Sequence, residues 1–249
     1  MIDLIRPDWP APPNVRAFTT TRKGGFSEGP WSSLNLGDHC GDDPVHVSRN
    51  RELLQKHLPS EPRWLNQVHG NKAIAWEDCH KSRPEADAIF SSQAGQVCAV
   101  LTADCLPVLF CNKAGTKVAA AHAGWRGLAA GVLEATVSAM DCAPNELMAW
   151  MGPAIGPGAF EVGQDVYDAF VSLSPENAIA FKPLHEKWLA DLYLLARLSL
   201  ARSNIKIVCG GGYCSHEDHS RFFSFRRDGQ AGRMASVIWL GLQKPKAAG

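Results

Sequence analysis

The chain has 249 residues, of which 45% are hydrophobic and 20% charged, a composition typical of a globular protein that buries a core. Its 25 Lys and Arg residues balance 25 Asp and Glu residues, so no net field directs it to nucleic acid or to an acidic membrane. This balance argues against both partners and favours a small molecule.

The segment 1–14 lacks the basic, apolar and small-residue order of a signal peptide. The most apolar stretch, 97–110, is interrupted by Asp104 and Pro107 before it could span a bilayer. Eight cysteines without regular spacing predict reduced thiols rather than a disulfide scaffold. We therefore expect a cytoplasmic protein without a membrane segment, and a monomer is the favoured oligomeric state.

Hydrophobic patterns with periods of two and of about 3.6 residues predict strands and helices in mixed succession. Strands are expected over 15–22, 63–70, 73–76, 97–103, 107–111, a stretch ending at 122, 147–151, 205–209 and 234–240. Helices are expected over 45–58, 128–140, 164–173 and 189–203. One domain spanning 1–249 is the favoured organisation.

Reactive side chains fall at the ends of three predicted strands. Cys105 lies at a polar corner between two apolar strands, and His122 ends the third strand of this region. His69 ends an earlier strand just before Gly70, a placement suited to pointing into a cleft. A helix is expected to begin beside His122. The backbone N–H groups of residues 124–127 are therefore a candidate anion-binding site.

Two chemistries fit the cysteine and the histidines. Thiolate and imidazole are zinc ligands, and three protein ligands leave a fourth position open, as in a catalytic zinc site. Alternatively, Cys105 acts as a thiolate nucleophile with His122 as its base. The residues alone leave both open. Asp87, at the edge of an apolar run, either caps a turn or serves this site.

Arginines supply the candidate contacts to substrate. Arg22 precedes a Gly-Gly turn that can bring a guanidinium and backbone N–H groups onto an anion. Arg51, on the flank of the helix expected over 45–58, is a second candidate phosphate ligand. Arg226 stands among phenylalanines, where arginine and aromatic rings can stack on a purine or on RNA bases, although the neutral charge weakens the RNA interpretation.

Several motifs carry a resemblance to a known family. They are NQVHG at 66–70, TADCLP at 102–107, AHAGWRG at 121–127 and GPAIG at 152–156. TTRKGG at 20–25, SLNLG at 33–37 and FRRD at 225–228 match as well, so the likeness covers nearly the whole chain. The chain resembles the polyphenol oxidase or laccase-domain family, whose bacterial members are also named purine nucleoside phosphorylases or peptidoglycan editing factor.

The resemblance implies a single α+β domain of mixed β-sheets packed face to face, with helices outside. It implies one zinc ion bound by His69, Cys105 and His122, and all three residues are present. It also implies phosphorolysis of adenosine, inosine and methylthioadenosine with phosphate, and deamination of adenosine. In enterobacterial relatives it further implies a role in correcting peptidoglycan precursors.

The histidines and cysteines of the sequence limit which of these implied activities are feasible. The signature of known zinc deaminases, HxE with PCxxC, is absent, so deamination requires a different set of ligands. Nine histidines without an HxH pair do not suffice for a multicopper cluster, whereas a single Cu(II) in place of zinc stays open. The alternatives to a zinc phosphorylase are therefore a cysteine hydrolase or amidase on a cell-wall precursor, a copper-supported polyphenol oxidase and a non-catalytic nucleotide-binding protein.

Overall fold

Two β-sheets stacked face to face form the centre of the computed structural model, which describes residues 2–79 and 83–241. The strands are β1 (Leu4–Ile5), β2 (Val15–Thr20), β3 (Ala73–Ala75), β4 (Ala88–Ser91), β5 (Cys98–Thr102), β6 (Leu106–Asn112), β7 (Val118–Ala123), β8 (Leu147–Met151), β9 (Glu161–Val162), β10 (Phe181–Leu184), β11 (Lys187–Ala190), β12 (Ile207–Gly210) and β13 (Met234–Leu240). The helices are α1 (Pro44–Gln55), α2 (Trp125–Ala129), α3 (Val132–Ala139), α4 (Gln164–Val171), α5 (Leu192–Arg202) and α6 (Phe225–Asp228).

The first sheet is antiparallel, with the strand order β1-β2-β13-β5. The second sheet is mixed, with the order β12-β8-β6-β7-β4-β3 and a parallel pair at each edge. A small third sheet, β10-β11-β9, contacts α4. Within the described residues, no helix combines the length and apolar character needed to cross a lipid bilayer.

The alternation of side chains along each strand explains the layered core. In β6, Leu109 belongs to the cluster between the two sheets, together with Val100 and Ile238 of the first sheet. The residues on either side of it in β6, Val108 and Phe110, belong to the cluster that α3 and α5 cover. Helix α1 covers the outer face of the first sheet. The α+β fold of face-to-face sheets with outer helices is therefore confirmed.

Two helix predictions are wrong in their bounds. The helix expected over 128–140 is interrupted at Gly131, whose φ of 88° lies in the left-handed region and separates α2 from α3. The helix expected over 189–203 begins only after Asp191, because the preceding residues pair in β11. The Asp191 carboxylate accepts a hydrogen bond from the Leu194 N–H at 2.9 Å and so caps the helix start.

The segment 63–70 is not the strand that its apolar pattern predicts. It pairs with its neighbours only through isolated bridges at Arg63 and Asn66. Side-chain hydrogen bonds replace the ladder, since the Gln67 amide binds both the N–H and the C=O of Leu101 at 2.8 Å. The segment therefore runs alongside β5 and presents its last residues as a loop.

The burial of Leu109 gives a direct test of the stacked sheets. Leu109→Ala leaves a cavity between them and is expected to lower the free energy of unfolding by about 2–5 kcal/mol, measured by urea denaturation. Leu173→Ala is the matched control, since Leu173 is 59% exposed and should change stability by less than about 0.5 kcal/mol. Equal effects of the two substitutions would contradict the core placement.

Candidate metal centre and its cavity

Cys105 lies where the chain crosses from one sheet to the other. Strand β5 belongs to the first sheet and β6 to the second, so residues 103–105 make the crossing. Asp104 has a φ of 82°, and its carboxylate accepts hydrogen bonds from the Ser215 hydroxyl at 2.6 Å and the Arg226 N–H at 2.7 Å. The turn that carries Cys105 is therefore held by the C-terminal part of the chain.

The β6–β7 pairing places His122 at the same corner, because His122 lies opposite Pro107, two residues after Cys105. The loop at the end of segment 63–70 adds His69, whose ring centroid is 4.8 Å from that of His122. His69 Nε2 lies 3.7 Å from Cys105 Sγ, and one ligand atom from each of the three residues lies within 4.8 Å of the others. The structure thus brings the three predicted site residues together.

A buried carboxylate holds both histidines. Asp87 Oδ1 lies 2.8 Å from Nδ1 of His122, and the two Asp87 oxygens accept the backbone N–H groups of Val68, His69 and Gly70 at 3.2, 3.0 and 2.7 Å. When Nδ1–H donates to this carboxylate, Nε2 of His122 carries the free lone pair. Asp87 therefore sets the tautomer of His122 and holds the backbone at His69. The sequence left open whether Asp87 caps a turn or serves the site.

Glycine at position 124 allows the ligands to approach each other. A Cβ there would lie 2.8 Å from Cδ2 of His69 and 2.9 Å from Sγ of Cys105, closer than real contacts allow. Helix α2 begins directly afterwards, and a Cβ at Gly127 would lie 2.8 Å from the carbonyl oxygen of Gly70. The AHAGWRG motif therefore packs the start of α2 against the histidine loop.

The electrostatics of the corner favour an ionised thiol. Burial raises the pKa of Cys105, but the positive charge of His122 and hydrogen bonds with both imidazoles outweigh burial and lower this pKa to about 6. Burial lowers the pKa of His122, whereas the Cys105 thiolate and the Asp87 carboxylate raise it to about 9. The thiolate is the form of cysteine that binds a metal and also the form that attacks as a nucleophile.

The donor set fits a transition-metal ion. Thiolate sulfur and imidazole nitrogen suit zinc and copper, whereas calcium and magnesium prefer oxygen ligands. Among residues 2–79 and 83–241, this is the only group of three or more His, Cys, Asp or Glu residues with the spacing of a metal site. The described part of the chain therefore provides one metal position rather than a multicopper cluster.

The three ligands open into a cavity of about 500 Å³. Its apolar wall includes Leu65, Leu101, Trp125, Ile155, Phe160 and Phe225, and its cationic wall includes Arg83, Arg126, Arg226 and Arg233. The predicted substrate ligand Arg226 is among them, with its guanidinium 5.3 Å from the Phe160 ring centroid and one N–H donated to the Glu161 carbonyl at 2.6 Å. The cavity thus combines a cationic and an aromatic surface beside the metal position.

Arg22 and Arg51 do not line this cavity. The guanidinium of Arg22 donates to two loop carbonyls at 2.8 and 3.2 Å. Arg51 donates twice to the Leu36 carbonyl, at 3.0 and 2.8 Å, and pairs with Asp38 at 3.3 Å. Both side chains fix the loops around them, and their role as phosphate ligands stays a prediction.

Arg126 is a cavity residue that the sequence pattern did not single out, although it follows His122 by four positions. Its guanidinium stacks 4.4 Å from the Trp125 ring centroid and, within the described residues, makes no hydrogen bond or ion pair. Arg83, in contrast, donates to both oxygens of Asp38 at 2.7 Å, and Arg233 donates to backbone carbonyls. Arg126 is therefore the cavity arginine most available to an anion.

Stacked sheets with a thiolate–imidazole group that opens into a cationic cavity define an enzyme-type domain with a candidate metal site. The chain matches the family described as multi-copper polyphenol oxidoreductase laccase over residues 16–241, and it belongs to this laccase-domain family, as its motifs indicated.

Named relatives cover almost the whole chain. Purine nucleoside phosphorylase YfiH of Escherichia coli is 53% identical over 242 residues, which are 96% of this chain and 100% of that protein. Purine nucleoside phosphorylase PA4543 of Pseudomonas aeruginosa is 51% identical over 238 residues, covering 95% and 98% of the two chains. The crystal structure of Neisseria meningitidis protein NMB0706 superposes with a TM-score of 0.93 at 53% identity, covering 96% and 99%.

The role of Asp87 can be tested through metal affinity. Asp87→Asn weakens the acceptor for His122 and for the histidine loop, so zinc affinity is expected to fall about 10–100-fold in competition with a chromophoric chelator. Asp141→Asn is the matched control, because the Asp141 side chain is 98% exposed. A folded Asp87→Asn protein, verified by circular dichroism, with unchanged zinc affinity would contradict this role.

Proposed function

We propose that this protein is a zinc-dependent purine nucleoside phosphorylase that acts on adenosine, inosine and methylthioadenosine. The observation that carries the proposal is one cavity that combines a His–Cys–His group, aromatic walls and an arginine, Arg126, that has no polar partner among the described residues. The names of the relatives from Escherichia coli and Pseudomonas aeruginosa support the same activity.

Phosphorolysis requires a site that binds an anion, a ribose and a heterocycle at the same time. A phosphate oxygen forms a bond to C1′ of the ribose, the bond from C1′ to N9 breaks, and the purine leaves with the electron pair and takes up a proton. Arg126 and Arg226 are suited to hold the anion, since guanidinium groups bind phosphate oxygens in pairs. The aromatic walls are suited to the purine.

His69, Cys105 and His122 are the residues that hold the metal in this proposal, and the bound ion supplies Lewis-acid polarisation at the corner. The chain keeps these donors in place through the carboxylate of Asp87. The buried ring of Phe160 and its apolar neighbours limit the access of water, which would compete with phosphate for the ribose.

The family resemblance extends the proposal to two further activities in the same cavity. One is deamination of adenosine to inosine, with water as nucleophile and ammonia as the leaving group, on a ligand set unlike that of known zinc deaminases. The other is correction of peptidoglycan precursors. We place the protein in the cytoplasm as a monomer without nucleic-acid or membrane partners, and its eight free thiols suit a reducing compartment.

The lowered pKa of Cys105 favours one second candidate, a cysteine hydrolase or amidase that acts on a cell-wall precursor. In that case Cys105 Sγ forms a bond to the substrate carbonyl carbon, the C–N bond breaks, and His122 passes the thiol proton to the departing amine. Water then hydrolyses the thioester and frees the thiol. A polyphenol oxidase would instead use Cu(II) at the same three donors.

Elemental analysis combined with nucleoside turnover separates these candidates. The purified protein is expected to carry zinc and to convert adenosine and phosphate into adenine and ribose 1-phosphate. Chromatography measures the adenine that is formed. Chelation should abolish turnover and added zinc should restore it, because the metal polarises the reacting centre. Inosine formed from adenosine without phosphate reports deamination.

Cys105→Ala is expected to lose both metal and activity, whereas Cys142→Ala, outside the cavity, should keep both. Full turnover by chelated protein would overturn the zinc proposal. A covalent adduct trapped at Cys105 in that protein would support the hydrolase, and bound copper with phenol oxidation would support the oxidase.

The anion site gives a second test. Arg126→Gln removes a charged donor, so the KM for phosphate is expected to rise about tenfold or more with unchanged zinc content. Arg49→Gln is the matched control, because Arg49 also stacks on an aromatic ring, 3.7 Å from the centroid of Phe26, but lies outside the cavity. Unchanged phosphate KM in Arg126→Gln would exclude Arg126 from the anion site.

A further inference from the structure

We propose that Phe225 is the platform on which the heterocyclic base of the substrate stacks, so that this side chain makes the cavity selective for aromatic bases. The inference rests on the proposed function, because it names the part of the cavity that receives the base. Phe225 lines the cavity and is 56% exposed. An exposed phenylalanine on a cavity wall forgoes the burial that folding would otherwise gain, and such apolar surface is typical of binding sites.

The backbone that presents Phe225 is firmly held. The N–H of Arg226 donates to Asp104 Oδ2 at 2.7 Å, and the Ser224 hydroxyl accepts the N–H of Arg227 at 3.2 Å. The Arg227 guanidinium donates to three backbone carbonyls of the preceding loop, at 2.9, 3.0 and 3.2 Å. The exposure of Phe225 therefore belongs to a fixed short helix that is tied to the residue beside Cys105.

The surroundings of the ring favour a flat heterocycle over an aliphatic group. The Arg233 guanidinium lies 6.0 Å from the ring centroid of Phe225, and hydrogen bonds to the carbonyls of Ala231 and Gly232 hold it there. The ring thus already takes part in a contact through its π-face, and a base that stacks on it would use a contact of the same kind. A cavity of about 500 Å³ accommodates a nucleoside beside the metal corner.

Two substitutions separate stacking from a merely apolar wall. Phe225→Leu keeps an apolar side chain of similar reach but removes the aromatic face. Phe225→Trp keeps and enlarges that face. A stacking platform predicts that tryptophan preserves binding and leucine does not, whereas an apolar wall predicts the reverse order or no difference.

Adenosine binding to the zinc-loaded protein without phosphate, measured by isothermal titration calorimetry, tests the inference. Phe225→Leu is expected to raise the Kd for adenosine roughly 5–100-fold, and Phe225→Trp to leave it within about threefold. Phe26→Leu is the matched control, since Phe26 is 37% exposed beside Arg49 but lies outside the cavity. The Kd for ribose 1-phosphate, which has no base, should stay unchanged in all three variants.

Equal adenosine affinity in Phe225→Leu and the wild-type protein would overturn the inference, and so would a parallel loss of affinity for ribose 1-phosphate. The assay needs no turnover, so its outcome is separate from that of the proposed function. Adenosine binding that depends on Phe225 without phosphorolysis would keep the platform and refute the phosphorylase. Phosphorolysis by the wild-type protein together with full adenosine affinity in Phe225→Leu would support the phosphorylase and refute the stacking platform.

Discussion

The candidate site depends on the hydrogen bonds that the carboxylate of Asp87 accepts. A buried charge is costly unless hydrogen bonds compensate it, and here an imidazole and three backbone N–H groups do so. The backbone of the same residue joins the second sheet, since its carbonyl accepts the N–H of His122 at 2.7 Å. One residue therefore couples the regular pairing of β4 and β7 to the irregular loop that carries His69.

Local patterns were sufficient to predict the parts of the site that lie on regular strands. Cys105 and His122 stand at the ends of strands that continuous apolar runs predict. The arginines were harder to predict, because their availability depends on distant partners: Arg51 is held by a loop carbonyl and an aspartate, whereas Arg126 faces the cavity without a partner among the described residues. The segment 63–70 has an apolar strand pattern, yet the side chain of Gln67 takes over its pairing.

The two descriptions attached to this family imply different demands on the chain. A multicopper oxidoreductase requires several clusters of imidazoles, whereas the described residues offer one group of three donors. The cavity beside that group has four arginines in its wall, which suits transfer of a group to an anionic acceptor better than successive electron transfers between metals. The geometry thus favours the chemistry in the names of the bacterial relatives over that in the family description.

The place of the last strand has a consequence for how the protein forms. Strand β13 is the last described strand and lies between β2 and β5, so the first sheet has no central strand until β13 has been synthesised. The turn at Cys105 is likewise held by Ser215 and Arg226 from the C-terminal part. During synthesis, the nascent chain carries its ligand residues long before it can assemble them. Assembly of the group formed by His69, Cys105 and His122 is therefore a late event in folding, because it waits for the segment that contributes Ser215 and Arg226.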